Sequence, residues 1–479
     1  MATTTQTTSK TAGPANASKR ASRGGRWVEV WDPENELFWK NSGSFIARRN
    51  LVMSIFTEHV GFSVWSLWSV FVLFLTPKYG LSSIATEAAA QKFLLTTLPT
   101  AIGAGVRLPY TLAVARFGGR NWTVVSALAL LIPTIGAAVW LKPGVSFGTL
   151  LVIAALAGVG GGNFASSMTN INSFYPQRLK GAALGLNAGG GNLGVAAVQL
   201  VALVVLASAG KGHPRVLLGI YIPLIVLAAL GAALFMNNLR PVTNEKRAVR
   251  DVSRDWHTWV MSFLYIGTFG SFIGFGFAFG QVLQNQFGAH FSSLNAGKLA
   301  VDPVKIAYLT FLGPLVGSLI RPVGGWFADR FGGAVTTFVN FVLMTLAAVV
   351  VLIASIDKSL PLFMVGFIAL FVFSGVGNGS TYKMIPAIFR AKAEQRMAAG
   401  VSAADAEHDS RRLANALIGI AGAIGAFGGV FVNIAFRQSF LSYHNGNAAY
   451  LGFIAFYVVC GLLTWFVYLR RSSTRLAGV

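Results

Sequence analysis

From Asn50 onward the chain alternates long apolar runs with short polar ones. Twelve apolar runs fall at 50–75, 93–115, 122–141, 148–173, 181–207, 216–238, 257–286, 304–328, 334–354, 360–389, 412–437 and 448–469. Each is close to the roughly 20 residues that an α-helix needs to cross about 30 Å of hydrocarbon. The pattern predicts an all-α membrane protein with twelve transmembrane helices. Between the sixth and seventh runs, Asn237 to Asp255 is polar and basic and divides six helices from six. The expected organisation is a tail over 1–49, a six-helix half over 50–238, a central loop over 239–256, a second six-helix half over 257–470 and a C-terminal segment over 471–479. An even number of spans puts both termini on one side. The tail lacks the apolar stretch and small-residue cleavage site of a secretory signal. Its cluster Trp27, Trp31, Phe38 and Trp39, ahead of Arg48 and Arg49, reads either as an interfacial segment or as the end of a plain disordered tail.

Composition narrows the class. With 54% hydrophobic residues, 11% charged and a mean hydropathy of +0.61, the 479 residues do not describe a soluble globular chain. The net charge of +22 would suggest nucleic acid in a soluble protein. Here it follows the membrane: 26 of the 38 Lys and Arg fall in the tail, the alternate loops and the C-terminus on one side, and nine in the loops on the other. That asymmetry places both termini in the cytoplasm and argues against a nucleic-acid partner. A lone Cys460 excludes a disulfide framework, and with His59 the one histidine deep in a predicted span, the sequence calls for no metal, haem or other cofactor. A membrane-bound redox enzyme is thereby disfavoured.

The remaining three basic residues, Arg107, Arg321 and Lys383, lie inside predicted spans. The first two belong to an internal repeat. GVRLPYTLAVARFGG places Arg107 nine residues before Arg116, and LIRPVGGWFADRFGG places Arg321 nine residues before Arg330. GVGGGNFASS in the fourth run is similarly matched by GVGNGSTYK in the tenth. Parallel six-helix repeats around a central loop are the organisation of major facilitator transporters, with substrate sites between the halves near the midplane. Nine residues at 1.5 Å put both arginines about 13 Å from the cytoplasmic end of their helices. Burying an arginine at that depth costs at least about 2.5 kcal/mol, so such groups face a cavity or pair with a carboxylate. Of the sixteen Asp and Glu, only Glu58 lies well within a span, too little to neutralise two arginines and a lysine. An anion would complete the site, and a guanidinium's planar paired donors suit a planar oxyanion. Phe164 stands in a Gly and Ser run; Tyr265 and Phe269 lie one turn apart; Asn187 and Asn192 either offer amides to a ligand or tie helices together. Glu58 and His59 are a titratable pair in the first span, read either as proton carriers or as a carboxylate held by Lys383 or an arginine.

Four stretches carry a family resemblance: GGGNFASSMTNINSFYP with GLNAGGGNLGV, GVGNGST at Gly375 to Thr381, the two arginine contexts, and LYIGTFGSFIGF at Leu264 to Phe275. They resemble the nitrate/nitrite porter family of the major facilitator superfamily, over nearly the whole chain after residue 45. The resemblance implies the major facilitator fold in two pseudo-symmetric halves, and nitrate or nitrite held by Arg107 and Arg321 with Phe164, Tyr265, Phe269 and Asn192 around it. It implies no cofactor, a bacterial-type inner-membrane location and, in our reading, a monomer acting on nitrate, nitrite and protons in the bilayer. GGWFADRFGG resembles the superfamily's cytoplasmic loop motif, with Asp329 and Arg330 in a gating role; ARFGGRN in the first half lacks the Asp. Exchanger-type members resemble one another in having an apolar first helix and a Gln where this chain has Lys383. Glu58, His59 and Lys383 depart from that pattern, which favours nitrate/proton symport with Glu58 as carrier over nitrate/nitrite antiport. Moving an anion inward against an inside-negative potential costs about 2.3 kcal/mol per 100 mV, which co-transported protons would offset.

Overall fold

The computed structural model describes residues 26–209, 215–240, 246–295 and 298–470. The expected C-terminal segment 471–479, residues 1–25 of the tail and 241–245 of the central loop lie outside the described residues. Among the described residues twelve long helical elements run in order: α1 (Ser44–Phe74), α2 (Ala85–Gly105 and Arg107–Phe117), α3 (Gly119–Trp140), α4 (Phe147–Phe174), α5 (Gln177–Ala209) and α6 (Val216–Phe235) in the first half. The second half holds α7 (Trp256–Gln286), α8 (Pro303–Phe331), α9 (Gly333–Ile356), α10 (Leu360–Ala398), α11 (Ala403–Tyr443) and α12 (Asn447–Leu469). Ten of them are long and apolar enough to cross a membrane on composition alone; α1 and α2, which carry Glu58, His59 and Arg107, are the two that are not.

Several helices outrun their apolar windows. α2 begins at Ala85 rather than 93, α10 continues to Ala398 rather than 389, and α11 spans Ala403–Tyr443 rather than 412–437. Hydropathy marks only the part that meets hydrocarbon; a helix continues past it wherever its backbone bonds and caps allow. Ser402 caps α11 by accepting from the Asp405 N–H, and Asp302, followed by Pro303, caps α8 by accepting from Val304.

The repeat is visible in the backbone. α2 breaks at Val106 (φ −74°, ψ −10°) and α8 at Ile320 (φ −76°, ψ −15°), so Arg107 and Arg321 each open a new helical segment. Each segment ends on a glycine of unusual conformation, Gly118 (φ 86°, ψ 143°) and Gly332 (φ 90°, ψ 144°). That positive φ is costly for any residue with a Cβ, which explains the Arg-Phe-Gly-Gly match.

Packing follows the bilayer rather than a water-facing pattern. Leucines, valines and isoleucines such as Val152, Leu227, Leu346 and Leu451 lie exposed on the outside, while Ser, Thr and Asn side chains are buried within. α7 is central, with 89% of its apolar window buried against 33% for α12. The tail's aromatic cluster packs on the protein: Trp31 meets Phe174, Trp39 meets Tyr175, and Trp27–Val28 pairs in parallel with Asn238–Leu239.

Candidate functional site

The break at Val106 aims Arg107 across the interface between the halves. Its guanidinium is fully buried. Nη1 donates to the Gly422 carbonyl of α11 at 2.9 Å, and the group lies over Phe164 at 4.7 Å, Phe269 at 4.9 Å and Trp65 at 5.8 Å. Such contacts with ring faces each contribute about 0.5–2 kcal/mol when desolvated. Nε and Nη2, which form one edge of the fork, make no protein hydrogen bond.

Arg321 is also buried. Its Nη2 donates to the Tyr265 hydroxyl at 3.1 Å, its Cζ lies 5.8 Å from the centroid of the Tyr382 ring, and Nη1 makes no protein hydrogen bond. Tyr265 and Phe269 stack at 5.1 Å with 10° between planes. A π-helical turn over Ile266–Gly270 produces this, since its wider turn brings residues four apart nearly into line. Arg107, Phe269, Tyr265 and Arg321 are thus joined in one chain of contacts that crosses between the halves. Phe164 closes it by stacking on Phe269 at 5.9 Å.

Close backbone approach makes the arrangement possible. A Cβ on Gly425 would lie 2.4 Å from the Tyr265 ring, and one on Gly379 would lie 2.4 Å from the Arg321 carbonyl. Among the described residues neither arginine forms an ion pair with a carboxylate. The site therefore offers two buried cations with free N–H groups, walled by aromatic rings. Planar, paired donors of this kind are complementary in shape and charge to a small planar anion.

Arg107, Phe164, Tyr382 and Gly422 form the deep wall of a cavity of about 520 Å³. It runs between the halves to one end of the bundle, where His408, Arg411 and Arg412 line it. At the opposite end the halves are bonded together. Thr96 donates to Asn433 Oδ1 (2.9 Å), Gln281 donates to Thr96 (3.1 Å), Lys92 donates to Gln284 (3.0 Å), and Gln199 donates to the Gly276 carbonyl (3.0 Å).

Other sequence candidates are placed differently from expectation. Lys383 is not beside Glu58: it pairs with Asp329 and is about half-exposed, which removes it from the buried charge to be balanced. Its position in α10, two turns past Gly375, carries it out of the core toward the α8 end. Asp329 accordingly accepts from a lysine of its own half. Arg330 lies over the Trp326 and Phe331 rings of its own helix. Asn187 does not serve the arginines; its amide donates to Glu58 Oε2 at 2.8 Å and to Ser167 at 2.5 Å. Asn192 is buried one to two turns further along α5, with an Oδ1 that makes no hydrogen bond. Glu58 is fully buried with Oε1 unbonded, and His59, next in the helix and so turned to another face, meets the Gly190 carbonyl at 3.1 Å through Nδ1. Sequence reasoning missed Tyr382, Trp65 and the Gly422 carbonyl. Tyr382 stood inside the quoted GNGSTYK motif; a backbone acceptor in a Gly-rich helix leaves no signal.

Residues 55–406 match the family model described as Major Facilitator Superfamily. The chain is 38% identical over 468 residues to the nitrate/nitrite transporter NarU of Escherichia coli, covering 93% of this chain and 96% of that protein. It is 33% identical over 474 residues to the probable nitrate/nitrite antiporter NarK2 of Thermus thermophilus, covering 94% and 98%. In structure it is similar to the xylose transporter XylE of E. coli in a partially occluded inward-open conformation, with a TM-score of 0.65, 12% identity, and coverage of 90% and 99%.

Proposed function

The chain belongs to the nitrate/nitrite porter family of the Major Facilitator Superfamily, and from that premise we propose that it imports nitrate by alternating access, coupled to protons through Glu58. It is a multi-pass membrane transporter and not an enzyme. The observation that carries the substrate is the pair of buried arginines, one from each half, with free N–H groups and no carboxylate partner. Nitrate is planar and bears one charge, so its oxygens match the Nε/Nη2 edge of Arg107 and the Nη1 of Arg321. Phe164, Phe269 and Tyr265 keep water out and hold both guanidiniums, and Asn192, buried in α5 with an unbonded Oδ1, is the amide assigned to the same site. Asn187 acts instead through Glu58.

With the termini cytoplasmic, the cavity past Arg411 opens inward, and the Thr96–Asn433–Gln281 contacts close the outer end. Lys383 and Asp329, with Arg330 beside them, then lie at the inner end of α8 and α10, where they govern opening rather than proton transfer. Both arginines come from one chain, which supports a monomer as the working unit in the inner membrane.

Proton coupling rests on the buried carboxylate close behind the arginine site. In vesicles containing the purified protein and no internal nitrite, an imposed inward proton gradient is expected to drive nitrate accumulation, and Glu58→Gln to abolish that drive while retaining nitrate binding. Uptake seen only with nitrite inside, and unchanged in Glu58→Gln, would instead establish nitrate/nitrite antiport.

A further inference from the structure

Behind Glu58 lies a second, much smaller cavity of about 10 Å³, enclosed by α1, α3 and α4. That is room for one water-sized species. All eight lining residues are polar: Ser54, Thr57 and Glu58 from α1, Thr123 and Ser126 from α3, and Asn163, Ser166 and Ser167 from α4. The direction of their hydrogen bonds decides what the chamber can hold. Thr57 donates its proton to the Met53 carbonyl, Thr123 to Gly119, Ser126 to Thr123 and Ser166 to Asn163. Each hydroxyl therefore turns lone pairs, not a proton, to any guest. Ser167 accepts from Asn187. Glu58 Oε1, Ser54 Oγ and both polar atoms of the Asn163 amide are buried and make no hydrogen bond, so that amide is free to turn its oxygen to a guest. A buried wall of oxygen acceptors around one carboxylate is the environment of a hard monovalent cation, whose hydration shell such oxygens replace.

We propose that this chamber is a sodium site, with Glu58 as its anionic ligand and Ser54, Thr57, Thr123, Ser126, Asn163 and Ser166 as neutral oxygen ligands. This deepens the reading of Glu58 as the seat of the coupling cation and rests on it. The arginine site and the chamber share α4: Asn163 lines one and Phe164, the next residue, walls the other. A cation bound here fixes α1, α3 and α4 together while Arg107 binds its anion. Of the charged groups around Glu58, Arg107 and Arg321 act on it from α2 and α8, with Tyr265 and Tyr382 beyond them. His59 is turned to Gly190, and no other ionisable side chain lines the chamber. A hydronium ion would satisfy the same acceptors, so sodium and proton compete for one place.

The test uses the full chain in lipid discs at fixed pH and ionic strength, without nitrate. Sodium chloride is expected to raise the melting temperature saturably, and potassium and choline chloride are not. Glu58→Gln should abolish the effect. Ser126→Ala combined with Thr123→Val, on α3 and away from the arginines, should raise the half-saturating sodium concentration by about tenfold while nitrate titration stays within about threefold. The double variant answers the question even if Glu58→Gln fails to fold. No sodium-specific shift in the native protein, or a shift that survives Glu58→Gln, would overturn the proposal. Proton-driven uptake in sodium-free vesicles would in that case leave the proton reading standing, so the two fail separately.

Discussion

Replacing Arg107 by lysine keeps the charge and removes the fork. In the native site this guanidinium lies within 5 Å of two ring centroids and has an unbonded Nε/Nη2 edge. An ammonium retains a single-point contact with nitrate but loses the second, charge-assisted hydrogen bond and the flat packing against both rings. Those losses come to roughly 2–4 kcal/mol, or about 30- to 1000-fold in nitrate affinity. Arg321→Lys should cost less, roughly 1–2 kcal/mol. Its Nη2 is already committed to Tyr265, and its one ring neighbour is more distant. Nitrate titration of both purified variants by isothermal calorimetry, alongside thermal melts showing that they remain folded, measures the difference. Affinity in Arg107→Lys within about threefold of native, or a larger loss in Arg321→Lys, would refute the geometry assigned to the site.

The other expectations are shorter. Gly191→Ala places a methyl 2.0 Å from Glu58 Oε1, so the carboxylate must move; proton-driven uptake should fall as in Glu58→Gln, with nitrate affinity retained, and an unaffected gradient response would count against Glu58 as carrier. Gly425→Ala drives its methyl into the Tyr265 ring at 2.4 Å, which should weaken nitrate binding through Arg321; a calorimetric titration indistinguishable from native would mean that the ring has free space to move. Lys383→Gln, which breaks an exposed pair, should change stability by less than about 1 kcal/mol yet alter the transport rate if that contact controls opening; normal turnover would remove it from the gate.

Much of this protein is written in local pattern. A helix in a bilayer must satisfy its own backbone and present apolar side chains to lipid, so ten spans are visible by composition alone, and a repeated Arg-Phe-Gly-Gly marks two glycines whose backbone few other residues can adopt. The scarcity of carboxylates in the spans likewise follows from counting, and it identified Arg107 and Arg321 without any fold. What counting could not supply is direction. Whether Asn187 gives its amide to a ligand or to Glu58, whether Lys383 faces the core or Asp329, and that Arg107 reaches a carbonyl on α11 all depend on how helices distant in the chain rotate against one another. Helix rotation is set by glycine contacts and ring packing between segments hundreds of residues apart. Only the assembled bundle decides which of several equally polar side chains meet.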